Sequence, residues 1–236
     1  MIDIHCHILP GIDDGSPDME TSLEMARMAA KDGIHTIIAT PHLATVEYPK
    51  DNLLQAIDEL NAQLKSQTIA ITVLFGAEVQ SHIALEAADN FCLAGSSSLL
   101  VEFPHSYLPA DSENLIYSLV TNKITPIIAH PERNGQISRE PWLLAPLIEL
   151  GARTQITAES ITGDQGMTAR NCAEYLFQRN QVHYIGTDSH SPGFRKPILS
   201  KAVKQAAKII GKAEAQKLVS GYNILLPSSC NHKPSA

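Results

Sequence analysis

An α/β protein built on a parallel sheet is the fold class this sequence predicts, on three observations. Seven short runs rich in β-branched and aliphatic residues recur along the 236 residues. Segments with helical periodicity lie between them, and a histidine or a carboxylate closes nearly every run. Near-continuous apolar runs, as opposed to strictly alternating ones, belong to strands buried on both faces, the state of strands in a parallel sheet covered by helices.

The runs are 2–6 (IDIHC), 35–40 (HTIIAT), 69–77 (IAITVLFGA), 98–103 (SLLVEF), 124–129 (ITPIIA), 153–158 (RTQITA) and 182–187 (VHYIGT). The first intervening helix is announced by Ser16 as N-cap, Pro17 at the first helical position, Asp18 and Glu20 in the first turn, and Gly33 at the stop. In the second, Leu53, Ile57, Leu60 and Leu64 recur at helical spacing and form one apolar stripe to lay on a sheet. A later segment runs from Pro141 to Gly151, with Pro146 placed to kink or split it. This βαβα order fits a doubly wound open sheet or a closed barrel of parallel strands. The nucleotide-binding forms of the open sheet lose weight, because neither a G-x-G-x-x-G after the first strand nor a G-x-x-x-x-G-K-[ST] occurs.

Composition bounds the function. With 44% hydrophobic and 18% charged residues the chain reads as one globular domain. Its apolar runs are too short to span a bilayer and no secretory leader is read, so a cytoplasmic protein without membrane insertion is expected. A net charge of −7 without a basic run argues against nucleic acid as a partner. Cys6, Cys92, Cys172 and Cys230 are scattered without a C-x-x-C pair, so neither a disulfide framework nor a zinc knuckle follows. Residues 227–236 (PSSCNHKPSA) read as a polar tail.

The strongest signal is positional. His5 and His7 close the first run, His42 follows the second, Glu78 the third, Glu102 the fourth, His130 the fifth, and Asp188 and His190 the seventh. Only 153–158 lacks an obvious ligand, although Glu159 lies nearby. Active sites of parallel β/α folds lie at the carboxyl ends of the strands, so these residues converge. His5 and His7 are two apart and on a strand face the same side, where both can hold one ion; Asp188 and His190 repeat the spacing. There are too many ligands for one ion, which points to two or three divalent metals bridged by carboxylates. Imidazole and carboxylate without thiolate suit Zn, Mn or Fe. Asp3 lies further back and is expected to be a hydrogen-bonded carboxylate behind the ligands. His35, His82 and His183 receive structural roles, and His105 is left open.

Six segments bear a resemblance to a known family: MIDIHCHILPGIDDG at 1–15, TPH at 40–42, GAEV at 76–79, VEFP at 101–104, PIIAHPER at 126–133 and GTDSH at 186–190, followed by Arg195, Lys196 and Pro197. The chain resembles the polymerase and histidinol phosphatase (PHP) superfamily and, within it, the bacterial protein-tyrosine phosphatases of capsule and exopolysaccharide operons. The resemblance implies a distorted seven-stranded (β/α)7 barrel over residues 1–226. It implies one metal held by His5, His7, Glu78 and Asp188, a second completed by Glu102 and His130 with Glu78 bridging, and a third held by Asp14, His42 and His190. Read from the sequence alone, Asp13 and Glu20 are alternatives to Asp14. Arg133 and Arg195 match the family's phosphate-contacting arginines, and Mn2+ is the metal the family suggests.

The expected reaction is hydrolysis of phosphotyrosine by a metal-activated hydroxide, which makes the chain a phosphoric monoester hydrolase. A thiol mechanism is excluded, because no C-x-x-x-x-x-R occurs: six residues after Cys172 stands Gln178, and after Cys6, Ile12. The implied partner is a bacterial tyrosine autokinase that controls polysaccharide export. A small-molecule phosphatase of the same superfamily, acting on histidinol phosphate, is the alternative substrate class, and a non-catalytic barrel module is the alternative outside enzymes. Native metal, physiological substrate and oligomeric state are not read from the sequence.

Overall fold

A computed structural model describes residues 1–46 and 49–225. Nine short parallel strands carry the fold: β1 (Ile2–Cys6), β2 (Thr36–Ala39), β3 (His42–Leu43), β4 (Thr72–Leu74), β5 (Glu78–Gln80), β6 (Ser98–Glu102), β7 (Thr125–Ala129), β8 (Arg153–Thr157) and β9 (Tyr184–Gly186). They form a three-stranded sheet in the order β1-β2-β4 and a six-stranded sheet in the order β3-β5-β6-β7-β8-β9.

Two of the seven expected strands are each split. In the run 35–40 the ladder stops at Ala39 and resumes at His42, because Pro41 has no N–H to donate, although its carbonyl accepts from Glu78 N–H at 3.0 Å. The run 69–77 breaks at Gly76, which passes so close to its neighbours that a Cβ there would lie 2.8 Å from both Ile38 Cγ2 and Leu93 Cδ2. Beyond each break the chain changes sheets, so β2 pairs with β4 but β3 pairs with β5, setting His42 opposite Glu78.

The first and last strands are also joined. Asp188 N–H donates to His5 O at 2.8 Å, His7 N–H to Ser189 O at 2.9 Å, and Cys6 bridges Ser189 in parallel. The sheets thus curl around a small apolar core in which Ile2, Ile4, Ile38, Leu100, Ile127 and Tyr184 meet. A larger core fills the space between the sheets and the helices, and burying each of its Leu, Ile and Phe side chains contributes roughly 1.5–3 kcal/mol.

The helices follow the expected faces with one correction. In α1 (Met19–Asp32) the N-cap is Asp18, whose carboxylate accepts from Thr21 N–H at 2.8 Å; it is not Ser16. The Ser16 hydroxyl is buried and occupied inside the loop, donating to Asp18 O and accepting from Ser22 Oγ, so the loop runs two residues further before the helix starts. Gly33 ends α1 at φ 89°, as its position predicted. On α2 (Lys50–Ser66), Leu53, Ile57, Leu60 and Leu64 are the buried residues. The 141–151 segment divides ahead of Pro146, into a 3-10 turn Pro141–Leu143 and a helix Leu144–Glu149 that holds Pro146 in its first turn, where no kink results. The expected tail 227–236 lies outside the described residues, and no described helix is long and apolar enough to cross a membrane.

Replacing Asp18 by Ala should lower stability through loss of the cap. Urea unfolding followed by circular dichroism checks this, and an unchanged midpoint would remove Asp18 from the capping role.

Candidate metal centre

The strand ends and the loops that follow them carry the nine side chains expected as ligands into one place. His5 lies in β1 and His7 just beyond it, His42 and Glu78 open β3 and β5, Glu102 ends β6, and His130 follows β7. Asp188 and His190 follow β9, and Asp14 comes from the loop before α1. His130 and Asp188 both have left-handed backbone, at φ 29° and 51°. Such conformations are uncommon outside glycine and persist where surrounding structure over-determines them. Here Asp188 is held by its bond to His5 O, and His130 N–H donates to Gln155 Oε1 at 3.4 Å.

Glu78 is the centre of the group. Its Oε1 lies 2.7 Å from His130 Nε2 and 3.4 Å from His5 Nε2, while its Oε2 lies 2.9 Å from His42 Nδ1 and 3.5 Å from His7 Nε2. Asp188 Oδ1 is 3.4 Å from His5 Nε2 and 3.3 Å from His7 Nε2. Glu102 stands 3.7 Å from both His42 and His130. Asp14 Oδ1 is 3.4 Å from His42 Nε2 and 3.3 Å from His190 Nε2. Among the described residues four overlapping sets could each hold an ion: His5, His7, Asp188; His5, Glu78, His130; His42, Glu78, Glu102; and His7, Asp14, His42, His190.

The far side of the imidazoles decides what the near side offers. His5 Nδ1 lies 2.8 Å from Gln155 Oε1, His7 Nδ1 2.6 Å from Asp13 Oδ2, and His190 Nδ1 3.1 Å from the Asp188 carbonyl. All three partners accept and cannot donate, so each ring carries a proton on Nδ1, and in the neutral ring this leaves the lone pair of Nε2 turned into the cluster. The Nε2 atoms of His5 and His7 are 3.2 Å apart, both fully buried. Two lone pairs facing each other between two carboxylates repel unless a cation lies among them. Asp188 Oδ1 and His190 Nε2 are likewise buried without a hydrogen bond, as atoms directed at an ion would be. The donor set therefore fits divalent metal.

The same excess of negative charge appears in the titration of the rings. Burial alone would lower the His5 and His42 pKa values, yet the carboxylates, Glu78 foremost, raise both to about 9. Burial acts against the charge of Glu78 too, but the surrounding imidazoles, His5 first, hold its carboxyl well below the usual range. His190 goes the other way, to about 4, through burial and then the neighbouring His7 and Arg195.

Between the two acids of the DDG loop the structure separates the roles. Asp14 faces the histidines, whereas Asp13 orients: besides His7 Nδ1 it accepts from Gly15 N–H at 2.9 Å and His42 N–H at 3.1 Å. Gly15 lets this loop lie against the first strand, since a Cβ there would fall 2.3 Å from His7 O. Glu20 lies in the exposed first turn of α1 and belongs to none of the four sets. Asp3 stands behind the ligands, accepting from His5 N–H at 3.3 Å and Thr187 N–H at 2.9 Å. Gln155 is the residue that sequence reasoning passed over. The available signal was an amide at the centre of a β-branched strand, the one strand that had no ligand to offer.

Arg133 and Arg195 both pair with Asp188 Oδ2, while the other oxygen of that carboxylate faces His5 and His7. The two guanidinium groups thus border the cluster. Cys6 and Cys172 are buried, and burial pushes the Cys172 thiol up to about 12, far from a nucleophilic thiolate. His183 is half-buried just before β9, its Nδ1 accepting from Thr154 N–H at 3.1 Å. The side chain of His105 lines a small cavity with Glu102 and His130. A cavity of about 990 Å³ lined by Arg153, Tyr184 and Leu218 lies at the amino ends of β8 and β9, opposite to the candidate metal centre.

Known proteins resemble the chain over nearly its whole length. Residues 1–224 match the family described as "Capsular polysaccharide synthesis, CpsB/CapC". The chain is 37% identical over 232 residues to the tyrosine-protein phosphatase YwqE of Bacillus subtilis (strain 168), spanning 96% of this chain and 91% of that protein. It is 26% identical over 229 residues to the tyrosine-protein phosphatase CpsB of Streptococcus agalactiae serotype III (strain NEM316), spanning 92% and 94%. A chain from the crystal structures of YwqE from Bacillus subtilis and CpsB from Streptococcus pneumoniae, described as unique metal-dependent tyrosine phosphatases, superposes with a TM-score of 0.89 at 36% identity, covering 95% of this chain and 94% of that one. On a matching family that spans all but its last residues, and on a cluster of nine histidine and carboxylate side chains that could hold metal, this chain belongs to the CpsB/CapC family.

Proposed function

We propose that the protein is a metal-dependent protein-tyrosine phosphatase that acts in the cytoplasm on a tyrosine autokinase of capsule or exopolysaccharide synthesis. The observation that carries this reading is the pairing of a buried imidazole and carboxylate cluster, its Nε2 lone pairs turned inward, with two arginines on its border. The names of its relatives support the substrate class. Unpaired Cys6, Cys92 and Cys172 accord with a reducing compartment.

In this reading His5, His7, Glu78 and Asp188 hold one ion, Glu102 and His130 complete a second with Glu78, and Asp14, His42 and His190 hold a third. His7 also comes within reach of the third group, which favours a cluster with shared walls over separate sites. Mn2+ is the proposed native metal, and Fe or Zn is compatible with the same donors. Bound divalent ions lower the pKa of water towards neutrality and offset phosphoryl charge. The chain's own residues supply the rest. Asp13, Gln155 and the Asp188 carbonyl keep the rings in one tautomer. Arg133 and Arg195 offer planar forks for the non-bridging oxygens of the phosphate, and Asp188 aligns both. The fold reading is a distorted seven-stranded barrel: if β2 runs on into β3 and β4 into β5 as single bent strands, seven segments remain, and the bonds between β1 and Asp188–Ser189 close the ring.

Exhaustive chelation should abolish turnover of a phosphotyrosine peptide, and added Mn2+ should restore it; undiminished turnover with no metal left by elemental analysis would defeat the proposal. Side-by-side assays should give a kcat/KM on phosphotyrosine peptides well above that on histidinol phosphate, and the opposite order would assign the small-molecule substrate class. Arg133→Ala should keep its metal content while kcat/KM falls on the order of 10²-fold, because the guanidinium bonds strengthen as charge builds on the phosphoryl group. Wild-type kcat/KM in a folded, metal-loaded variant would remove Arg133 from the site.

A further inference from the structure

Phe194 is 71% exposed, more than any other large hydrophobic side chain among the described residues. One exposed apolar residue is ordinary on a protein surface. The backbone beneath this one is not. Ser191 Oγ accepts from Phe194 N–H at 2.9 Å and donates to Phe194 O at 2.6 Å. His190 N–H donates to Arg195 O at 3.0 Å, and Lys196 N–H donates to Glu159 Oε1 at 3.2 Å. Glu159 Oε2 in turn accepts from Gln165 Nε2 at 3.0 Å, so the acid that stands just past the end of β8 fastens this loop and does not face the metals.

Within the fastened loop Arg195 takes φ 54°, an uncommon conformation for a residue with a side chain. Consecutive side chains then part. Arg195 reaches Asp188, whereas Phe194 stands in solvent at the wall of a cavity of about 280 Å³ shared with Ala158, Glu159 and Ile198. Ala158 and Glu159 follow directly on β8, so the cavity opens at the same end of the sheet as the metal centre.

We infer that Phe194 is a specificity-determining residue that receives the aromatic ring of an aryl phosphate whose phosphate is held at Arg195. One ester oxygen separates phosphorus from the ring in such a substrate, so the ring cannot lie far from the guanidinium that binds the phosphate. The adjacent side chain, rigid at the backbone and free at the ring, is placed to stack on it. Offset or edge-to-face packing of two aromatic rings adds affinity that an alkyl phosphate cannot obtain. A phosphoserine side chain offers no ring to stack on Phe194.

This inference rests on the phosphotyrosine reading above, and the test is chosen so that the two can fail separately. Calorimetric titration of the Mn2+-loaded protein compares benzylphosphonate with methylphosphonate, neither of which is hydrolysed. Wild type should bind the benzyl compound about fivefold tighter, Phe194→Ala should lose that preference while its affinity for methylphosphonate holds, and Phe194→Trp should keep it. Equal binding of the two phosphonates by wild type, or a preference that survives in Phe194→Ala, overturns the assignment. A benzyl preference that depends on Phe194 in a protein unable to turn over phosphotyrosine peptides would sustain aryl recognition and refute the phosphatase reading.

Discussion

A buried carboxylate, Glu78, on which the imidazoles of His5, His7, His42 and His130 converge, is the constraint on which the rest of the structure depends. Left to themselves His5 and His7 could not present two unprotonated nitrogens to each other at 3.2 Å in a space closed to water. The repulsion is held in place from behind, by Gln155 and Asp13, and from the backbone, by the joining of β1 to Asp188 and Ser189. A cation turns that repulsion into attraction. The cluster is therefore costly for the fold taken alone and favourable once ions occupy it, and this coupling links the stability of the strand ends to metal.

Much of the irregular backbone serves this arrangement. The break at Pro41 moves the chain from one sheet to the other and sets His42 opposite Glu78. Left-handed residues at His130, Asp188 and Arg195 turn the chain where a ligand or an arginine must be aimed. Gly15 lets the DDG loop lie against His7 closely enough for Asp13 to reach the far side of the ring. At the opposite end of the sheet the polar groups are ordinary: the neutral ring of His183 simply accepts a backbone N–H. Chemistry and scaffold thus occupy different ends of the same strands, as in parallel β/α folds generally.

Asp188 connects the histidine cluster to the two arginines. One oxygen faces His5 and His7 and the other gathers Arg133 and Arg195, so a shift in that carboxylate moves ligands and guanidinium forks together. The loop that follows it is pinned by Ser191 and Glu159, which gives Arg195 a defined position and leaves Phe194 at the rim. In the proposed reading, residues outside the metal cluster thereby set where a phosphate and the group attached to it would lie.

The sequence by itself determined the element order, the apolar faces of α1 and α2, and eight strand-end side chains that the fold brings together, because burial periodicity and strand-end position are local properties of the chain. The absence of a thiol signature, and the reading of Asp3 as a carboxylate behind the ligands, were legible for the same reason. Only the tertiary structure decided that two of the seven runs each break into two strands, that Asp18 and not Ser16 caps α1, and that Asp14 faces the histidines while Asp13 orients His7. It alone revealed Gln155, which is 150 residues from its partner His5. Hydrogen bonds of that span, and the choice between two adjacent acids, depend on where distant strands come to rest, and no local pattern of residue types encodes that placement.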